Sequence, residues 1–365
     1  MRGLHTGLIA DHAETVYLST VDAHVDQRFM RLALTEAHKG VGATSPNPAV
    51  GAVLVSAGKI VARGHHEGAG QPHAEVTCLQ SAKVPIRKGS VLYVTLEPCS
   101  TTGRTPPCTQ AIIDAGIKEV VVGAVDVNPR HAGRGLELLR AAGIKVRVGI
   151  LEHECIALNE AFNHWIQTKR PFVIAKCGMS LDGRLTRPDG ESQWITSEAA
   201  REHANRMRSE VDAILVGAET VRQDNPRLTV RAVTAKRQPW RIILTRSEKL
   251  PKRSHIFTDR FADRTLVFRD KKLRAVLKEL GKREITSVLI EGGGDVLGQA
   301  LDARLIDRLR IYLGPLLTGG PTLAFGGRGA GCTAEAARLL DPIYEKVGSD
   351  LYLTGKPIYG NPPSE

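Results

Sequence analysis

Aromatic residues are scarce, at 4% of the chain. That leaves little from which to build the stacking platform that single-stranded nucleic acid needs. Long apolar runs are missing too. None approaches the roughly 18 residues that cross a bilayer as a helix. Asp11, Glu14 and Asp22 interrupt the first 25 residues, where a secretory signal would need an unbroken apolar core. Residues 1–25 are expected to be a short, partly disordered extension. A disulfide framework is also missing, since Cys78, Cys99, Cys108, Cys155, Cys177 and Cys332 lack its spacing. That fits a reducing compartment, the cytoplasm, with two thiols free to hold a metal.

What is present points to an ordinary folded protein of more than one part. A length of 365 residues exceeds the usual reach of a single core. An apolar content of 42% is typical of globular chains. The formal net charge of +11 suits either a nucleic acid or small phosphorylated ligands. The basic residues are dispersed, with modest clusters at Lys236-Arg237, Lys252-Arg253 and Lys271-Lys272-Arg274. Charge therefore does not choose between the two.

The strongest chemical signal lies between residues 73 and 108. It reads His73-Ala74-Glu75, a strand-like run Val91 to Leu96, then Glu97-Pro98-Cys99 and Pro107-Cys108. One imidazole and two thiolates suit zinc, and three protein ligands leave a fourth position for water. Glu75 stands close enough to reach that water without ligating the metal. The order His-x-Glu, Pro-Cys, Cys is that of zinc nucleobase deaminases, with Glu75 as general acid and base. One departure is visible: Cys99 and Cys108 are nine positions apart, not three. Cys78 is expected to be a small buried apolar residue, not a ligand.

Around this motif, strand and helix patterns alternate. Helical spacing covers 26–39, 73–82, 108–115 and 136–142, and strand patterns cover 49–55, 60–64, 91–95, 120–123 and 144–148. The alternation implies a three-layer α/β/α sandwich around a largely parallel sheet. A helix over 152–168 then ends before Pro171, which disfavours helix at the preceding residue. The division is 1–25 extension, 26–151 first domain, 152–170 linker helix and 171–365 second domain. Phe162 and Trp165 on the linker are expected to pack between domains and not to bind a ligand.

The second domain shows strand patterns at 172–179, 211–217, 240–244, 265–268, 288–291, 309–313 and 350–353. Helix patterns fall at 198–208, 273–280, 296–305 and 334–340. Ile290-Glu291-Gly292-Gly293-Gly294-Asp295 reads as a strand, three glycines and a helix start, where backbone N–H groups can meet a phosphate. It lacks the third glycine of the Rossmann fingerprint. Lys176, Asp182 and Glu291 are polar groups near strand ends.

The runs Asn47-Pro48-Ala49-Val50-Gly51, His73-Ala74-Glu75 and Thr95 to Cys99 through Gly103 to Cys108 resemble the bifunctional deaminase/reductase family of riboflavin biosynthesis. That family carries the long inter-cysteine loop. Its reductase half is matched by Lys176 with Ser180 to Arg184, Glu191 to Thr196, Asp224 to Arg231, Glu291-Gly292-Gly293 and Ser349 to Leu353. The resemblance covers nearly the whole chain after residue 25. It implies a cytidine-deaminase-like domain with one zinc, followed by a dihydrofolate-reductase-like α/β domain that uses NADPH without a Rossmann fingerprint. It implies deamination of a phosphoribosylaminopyrimidine and then reduction of its ribosyl group to ribityl. Carried over by position, Asn47 lies in the first substrate pocket. NADPH would meet Gly178, Trp194, Thr220, Asp224, Gly293, Gly294, Asp295, Val296, Leu297, Gly298 and Gln299. Substrate would meet Ser192, Arg208, Leu228, Arg231 and Glu291, with the two arginines forking onto the ribose phosphate. The reductase proton donor stays open among Lys176, Asp182 and Glu291. A homodimer or homotetramer is implied, with no nucleic-acid or membrane partner. The rival is a tRNA-type base deaminase with an accessory binding domain; tight, salt-sensitive tRNA binding would support it.

Overall fold

The computed structural model describes residues 20–360, apart from 84, 87, 88, 104, 105, 186–193, 232 and 248. Among the described residues the strands form two sheets. The first contains β1 (Gly51–Ser56), β2 (Lys59–His65), β3 (Val91–Leu96), β4 (Glu119–Ala124) and β5 (Lys145–Val148), in the order β2-β1-β3-β4-β5. β3, β4 and β5 run parallel, but β1 is antiparallel to both β2 and β3. The sheet is thus mixed, where the alternation of elements predicts a largely parallel one. The cause is local. Ala57 and Gly58, both at positive φ, turn β1 straight back into β2 as a tight hairpin.

Side chains along these strands alternate between two buried faces. Val53, Tyr93 and Val121 pack against Phe29, Met30 and Ala33 of helix Thr20–His38. Leu54, Leu92 and Val120 pack against Ala74, Ile112 and Leu139, which lie on helices Ala74–Gln80, Cys108–Asp114 and Arg134–Ala141. The result is the expected three-layer sandwich. Helix Thr20–His38 begins inside the stretch expected to be an extension.

The linker is two helices, Glu152–Leu158 and Glu160–Thr168, not one. They meet at Asn159, whose φ of −110° leaves the helical range. Its buried amide is committed elsewhere: Oδ1 accepts from Ala49 N at 2.8 Å, and Nδ2 donates to Ala49 O at 2.9 Å.

The second sheet contains β6 (Phe172–Ser180), β7 (Ala213–Gly217), β8 (Trp240–Thr245), β9 (Thr265–Arg269), β10 (Ser287–Ile290), β11 (Arg308–Gly314), β12 (Arg338–Val347) and β13 (Asp350–Ile358). Their order is β12-β13-β11-β6-β10-β7-β8-β9. The run from β11 to β9 is parallel, and β13 and β12 close one edge antiparallel. Helix Glu198–Met207 starts at Ser197, whose hydroxyl accepts from Ala200 N as the sequence predicts. Two features depart from expectation. Ala218–Asp224 is helical before the turn at Asn225. The helix expected at 334–340 is absent, because the chain from Arg338 onward pairs with β13 instead. Pro342, which has no N–H to give, falls at the register shift of this edge strand.

Candidate functional site

Three elements bring the expected metal ligands together. His73 sits just before helix Ala74–Gln80, Cys99 follows β3, and Cys108 opens helix Cys108–Asp114. His73 Nδ1 lies 3.2 Å from Cys108 Sγ and 3.5 Å from Cys99 Sγ. The three donor atoms lie within 4.8 Å of one another. A tetrahedral zinc has N–S edges of about 3.6 Å and S–S edges of about 3.8 Å, so the donor set fits that ion. Cys108 N donates to Cys99 Sγ at 3.3 Å, which favours the thiolate. The Cys108 thiol and His73 lower the Cys99 pKa, whereas Cys108 is raised by that same bond and by burial. A divalent ion between them would take both as thiolates. Cys78 is fully buried among apolar side chains, as expected.

Glu75 lies beside this cluster and is 3% exposed. Burial first, and then the Cys99 thiolate, raise its carboxyl to about 7. A cavity of about 320 Å³ opens over His73, Glu75 and Cys99. Asn47 lies on its wall, and its amide Nδ2 donates to His66 Nε2 at 3.1 Å. His66 in turn donates from Nδ1 to Pro72 O at 3.0 Å, a tautomer assigned from these partners. Burial lowers the His66 pKa, which keeps the ring neutral and able to accept.

Several cavity residues escape the sequence reading. Asp126 and Asn128 stand on the loop after β4, at the carboxyl end of a parallel strand, where ligands are expected. That position is the signal that could have found them. Glu97 shapes the loop: its carboxylate accepts from Asp126 N, Gly133 N and Gly135 N at 3.1, 2.9 and 2.8 Å. Phe162 and Trp165, expected to pack between domains, also lie on the wall of the cavity. Trp165 Nε1 donates to Gly281 O in the second half at 2.9 Å. Glu284, also from that half, reaches the cavity with no local sequence signal to mark it.

The second site gathers at the carboxyl ends of β6, β10 and their neighbours. Arg208 donates from Nε and Nη2 to the two oxygens of Glu291 at 2.6 and 2.7 Å, and from Nη1 to Thr229 O at 3.1 Å. The family resemblance implies a phosphate fork for Arg208; here its fork closes on Glu291. Burial alone would raise the Glu291 pKa, but the charge and hydrogen bonds of Arg208 outweigh it and lower the value. Arg231 is exposed, and its charge is felt by both Arg208 and Glu291. Lys176 Nζ sits 6.0 Å from the Tyr312 ring centre, and its charge acts on Glu291.

The remaining expected residues divide. Thr220 faces Gly292 and Gly293, where an added Cβ would come 3.4 and 3.7 Å from its Oγ1. Gly178 abuts Thr196, and Trp194 is exposed with the Arg201 guanidinium 4.8 Å over its ring. Asp224 is half-buried at the end of helix Ala218–Asp224, and Leu228 is buried. Val296 and Leu297 belong to the core. Gly294 and Gly298 admit a neighbouring chain, since a Cβ on either would fall 1.9 and 1.8 Å from Leu323 O and Gly326 O. Asp295 and Gln299 are exposed on the same helix. Asp182 is held at about 2 by Ser180 Oγ and by the N–H groups of Thr318 and Gly319. Its carboxylate anchors a turn. Ser192 lies outside the described residues.

Residues 23–124 match the cytidine and deoxycytidylate deaminase zinc-binding region, and residues 171–350 match the RibD C-terminal domain. Riboflavin biosynthesis protein RibD of Aquifex aeolicus is 41% identical over 349 residues, covering 90% of this chain and 98% of that protein. The Escherichia coli protein of the same name is 40% identical over 326 residues, covering 80% and 89%. Among solved structures, Acinetobacter baumannii RibD matches with a TM-score of 0.82 at 36% identity, covering 92% of this chain and 100% of that one. The Thermotoga maritima diaminohydroxyphosphoribosylaminopyrimidine deaminase/5-amino-6-(5-phosphoribosylamino)uracil reductase matches with a TM-score of 0.83, at the same identity and coverage.

Proposed function

The chain belongs to the RibD family, the bifunctional deaminase/reductases of riboflavin biosynthesis, and from that premise we propose how its residues divide the work. The chain is an enzyme with a zinc-binding deaminase domain and a reductase domain. It deaminates 2,5-diamino-6-(5-phosphoribosylamino)pyrimidin-4-one to 5-amino-6-(5-phosphoribosylamino)uracil, then reduces the ribosyl group to ribityl with NADPH.

The deaminase occupies 26–151 together with the helix that starts at Thr20, 152–170 joins, and 171–365 reduces. His73, Cys99 and Cys108 would hold the zinc; their closure on a common centre beside buried Glu75 is the observation that carries this reading. Bound there, zinc supplies the Lewis acidity that makes water nucleophilic near neutral pH. Glu75 accepts a proton from the attacking water. It gives that proton to the ring nitrogen, then takes the second proton from the hydroxyl of the adduct and gives it to the departing amine. Asn47 gives one N–H to His66 and keeps its amide oxygen for an N–H of the substrate ring.

In the reductase half, NADPH would lie along Gly178, Trp194, Thr220, Asp224 and Gly293, with the exposed Asp295 and Gln299 at the border of its site. The ion pair with Arg208 fixes Glu291 for the ribose hydroxyls, which leaves Arg231 as the guanidinium for phosphate. Asp182 and Glu291 are both held ionised, so Lys176 is the donor that suits the proton accompanying hydride transfer.

The exposed apolar residues Leu340, Ile343 and Tyr344 on β12, with Leu351 and Ile358 on β13, support a homo-oligomer built on this edge. Among the described residues no helix is long and apolar enough to cross a membrane. Six unpaired thiols support a cytoplasmic setting. A two-step assay on the diaminopyrimidine nucleotide tests the whole scheme. Ammonia should appear without NADPH, and NADPH oxidation should begin only after it. NADPH oxidation on the undeaminated nucleotide at full rate would overturn the order.

A further inference from the structure

Asn47 is strung between two anchors that its own sheet does not supply. Two residues before it, Ser45 Oγ donates to Asp212 Oδ2 at 2.5 Å. Two residues after it, Ala49 exchanges both backbone hydrogen bonds with Asn159 of the linker. Asp212 stands immediately before β7 in the reductase half and is 3% exposed. Its Oδ2 also accepts from Thr286 N at 2.7 Å and Thr286 Oγ1 at 2.8 Å, and its Oδ1 accepts from Arg237. With these donors on it, the carboxylate is a fixed post.

The same second half holds the loop further back. Arg237 Nε donates to Gly42 O at 2.8 Å, and Lys236 Nζ donates to Lys39 O at 3.2 Å. Gly42 has a φ of +78°, and a Cβ there would come 1.8 Å from Ser209 O. Between these ties, Pro46, Asn47 and Pro48 form part of the wall of the deaminase cavity. From this position Asn47 Nδ2 meets His66 Nε2 at 3.1 Å.

We propose that Asp212, a residue of the reductase half, is a positioning residue for deamination: through Ser45 it fixes the 42–48 loop that presents Asn47 to the substrate. The proposal rests on the reading of Asn47 as a substrate contact. A group that binds the ring must be placed within a fraction of an ångström, and a displacement of about 1 Å can lower a rate roughly 10²-fold. The ordinary alternative is that these bonds merely hold two domains together. Such a role would change stability without acting through Asn47.

The test uses the full-length, zinc-loaded enzyme and four variants: S45A, D212N, N47A and the double variant S45A/N47A. Ammonia release is followed for KM and kcat, zinc per chain is measured, and NADPH oxidation is followed on supplied deaminated nucleotide. S45A should lower deamination kcat/KM about ten-fold, a fraction of what full misplacement brings. Its zinc content and NADPH oxidation should stay unchanged, and S45T, which keeps the hydroxyl, should restore kcat/KM. D212N should repeat the change; should it not fold, S45A decides. In the N47A background S45A should add nothing. An impaired N47A beside a normal S45A would overturn this proposal alone, as would S45A and N47A effects that simply multiply. An unimpaired N47A would remove the Asn47 assignment and this proposal with it.

Discussion

Glu75→Gln separates what this carboxylate does for the chemistry from what it does to the fold. The side chain is 3% exposed, and burial aided by the Cys99 thiolate raises it from 4.5 to about 7. A carboxyl raised in the folded state keeps its proton longer than in the unfolded chain, so its ionisation opposes folding. The penalty is absent below 4.5, grows between 4.5 and about 7, and stays constant above that. At roughly 1.4 kcal/mol per pH unit it reaches about 3 kcal/mol at pH 8. Gln does not ionise. After chelation, E75Q should therefore be more stable than the parent at pH 8, by up to about 3 kcal/mol, and equal to it near pH 4.5. With zinc restored, its ammonia release should fall by roughly 10²–10⁴, because an amide cannot carry the proton. Urea unfolding of the chelated proteins at the two pH values gives the first quantity, and ammonia release at measured zinc content gives the second. Turnover close to the parent at full zinc would refute the proton-carrier role. A chelated variant less stable than the parent at pH 8 would refute the burial argument.

Exhaustive chelation should abolish ammonia release and spare NADPH oxidation on the deaminated nucleotide; loss of both would tie the metal to the second site. R208A strands Glu291, and breaking such a buried pair typically costs about 3–5 kcal/mol. Urea unfolding should show that loss together with a raised nucleotide KM in the reductase assay, whereas exposed Arg231→Ala should raise KM with stability nearly intact. The depressed Glu291 pKa adds a pH signature. Its contribution is present above the ordinary carboxyl range and is lost as pH falls through the lowered value, so R208A and parent should converge in acid. N159A orphans the Ala49 N–H and C=O, at about 1–3 kcal/mol for each group left unsatisfied, and thermal unfolding should register it.

The metal set is legible in the sequence because its chemistry is carried by residue type and order. His73, Glu75, Cys99 and Cys108 need no partner of unknown position to be recognised. Most strands of both sheets are legible for a similar reason, since two buried faces demand continuous apolar runs; β12, exposed along most of its length, is not. What the sequence hides depends on distant partners. The stretch Ala334 to Leu340 suits a helix locally, but β13 offers a ladder and the chain from Arg338 takes it. Asn159 looks like one more helical residue until Ala49, far away in the chain, claims its amide. Arg208 carries a guanidinium fit for phosphate, and only the fold reveals that Glu291 already fills its fork. His66 and Glu284 reach the cavity through tertiary placement alone.

Strands β7 and β10 have their amino ends at the Asp212–Thr286 post and their carboxyl ends beside Gly217 and Glu291. Five residue steps from Thr286 to Glu291, at about 3.3 Å each, make roughly 17 Å of strand between post and ion pair. Ile214, Leu215, Val288 and Leu289 fill that span and are wholly shielded from solvent. Among the described residues these side chains close the straight path from post to ion pair. A route around the rim of the sheet exposes the intermediate to bulk water. Unlabelled intermediate added to the medium should therefore dilute the isotope carried from the first substrate into the final product.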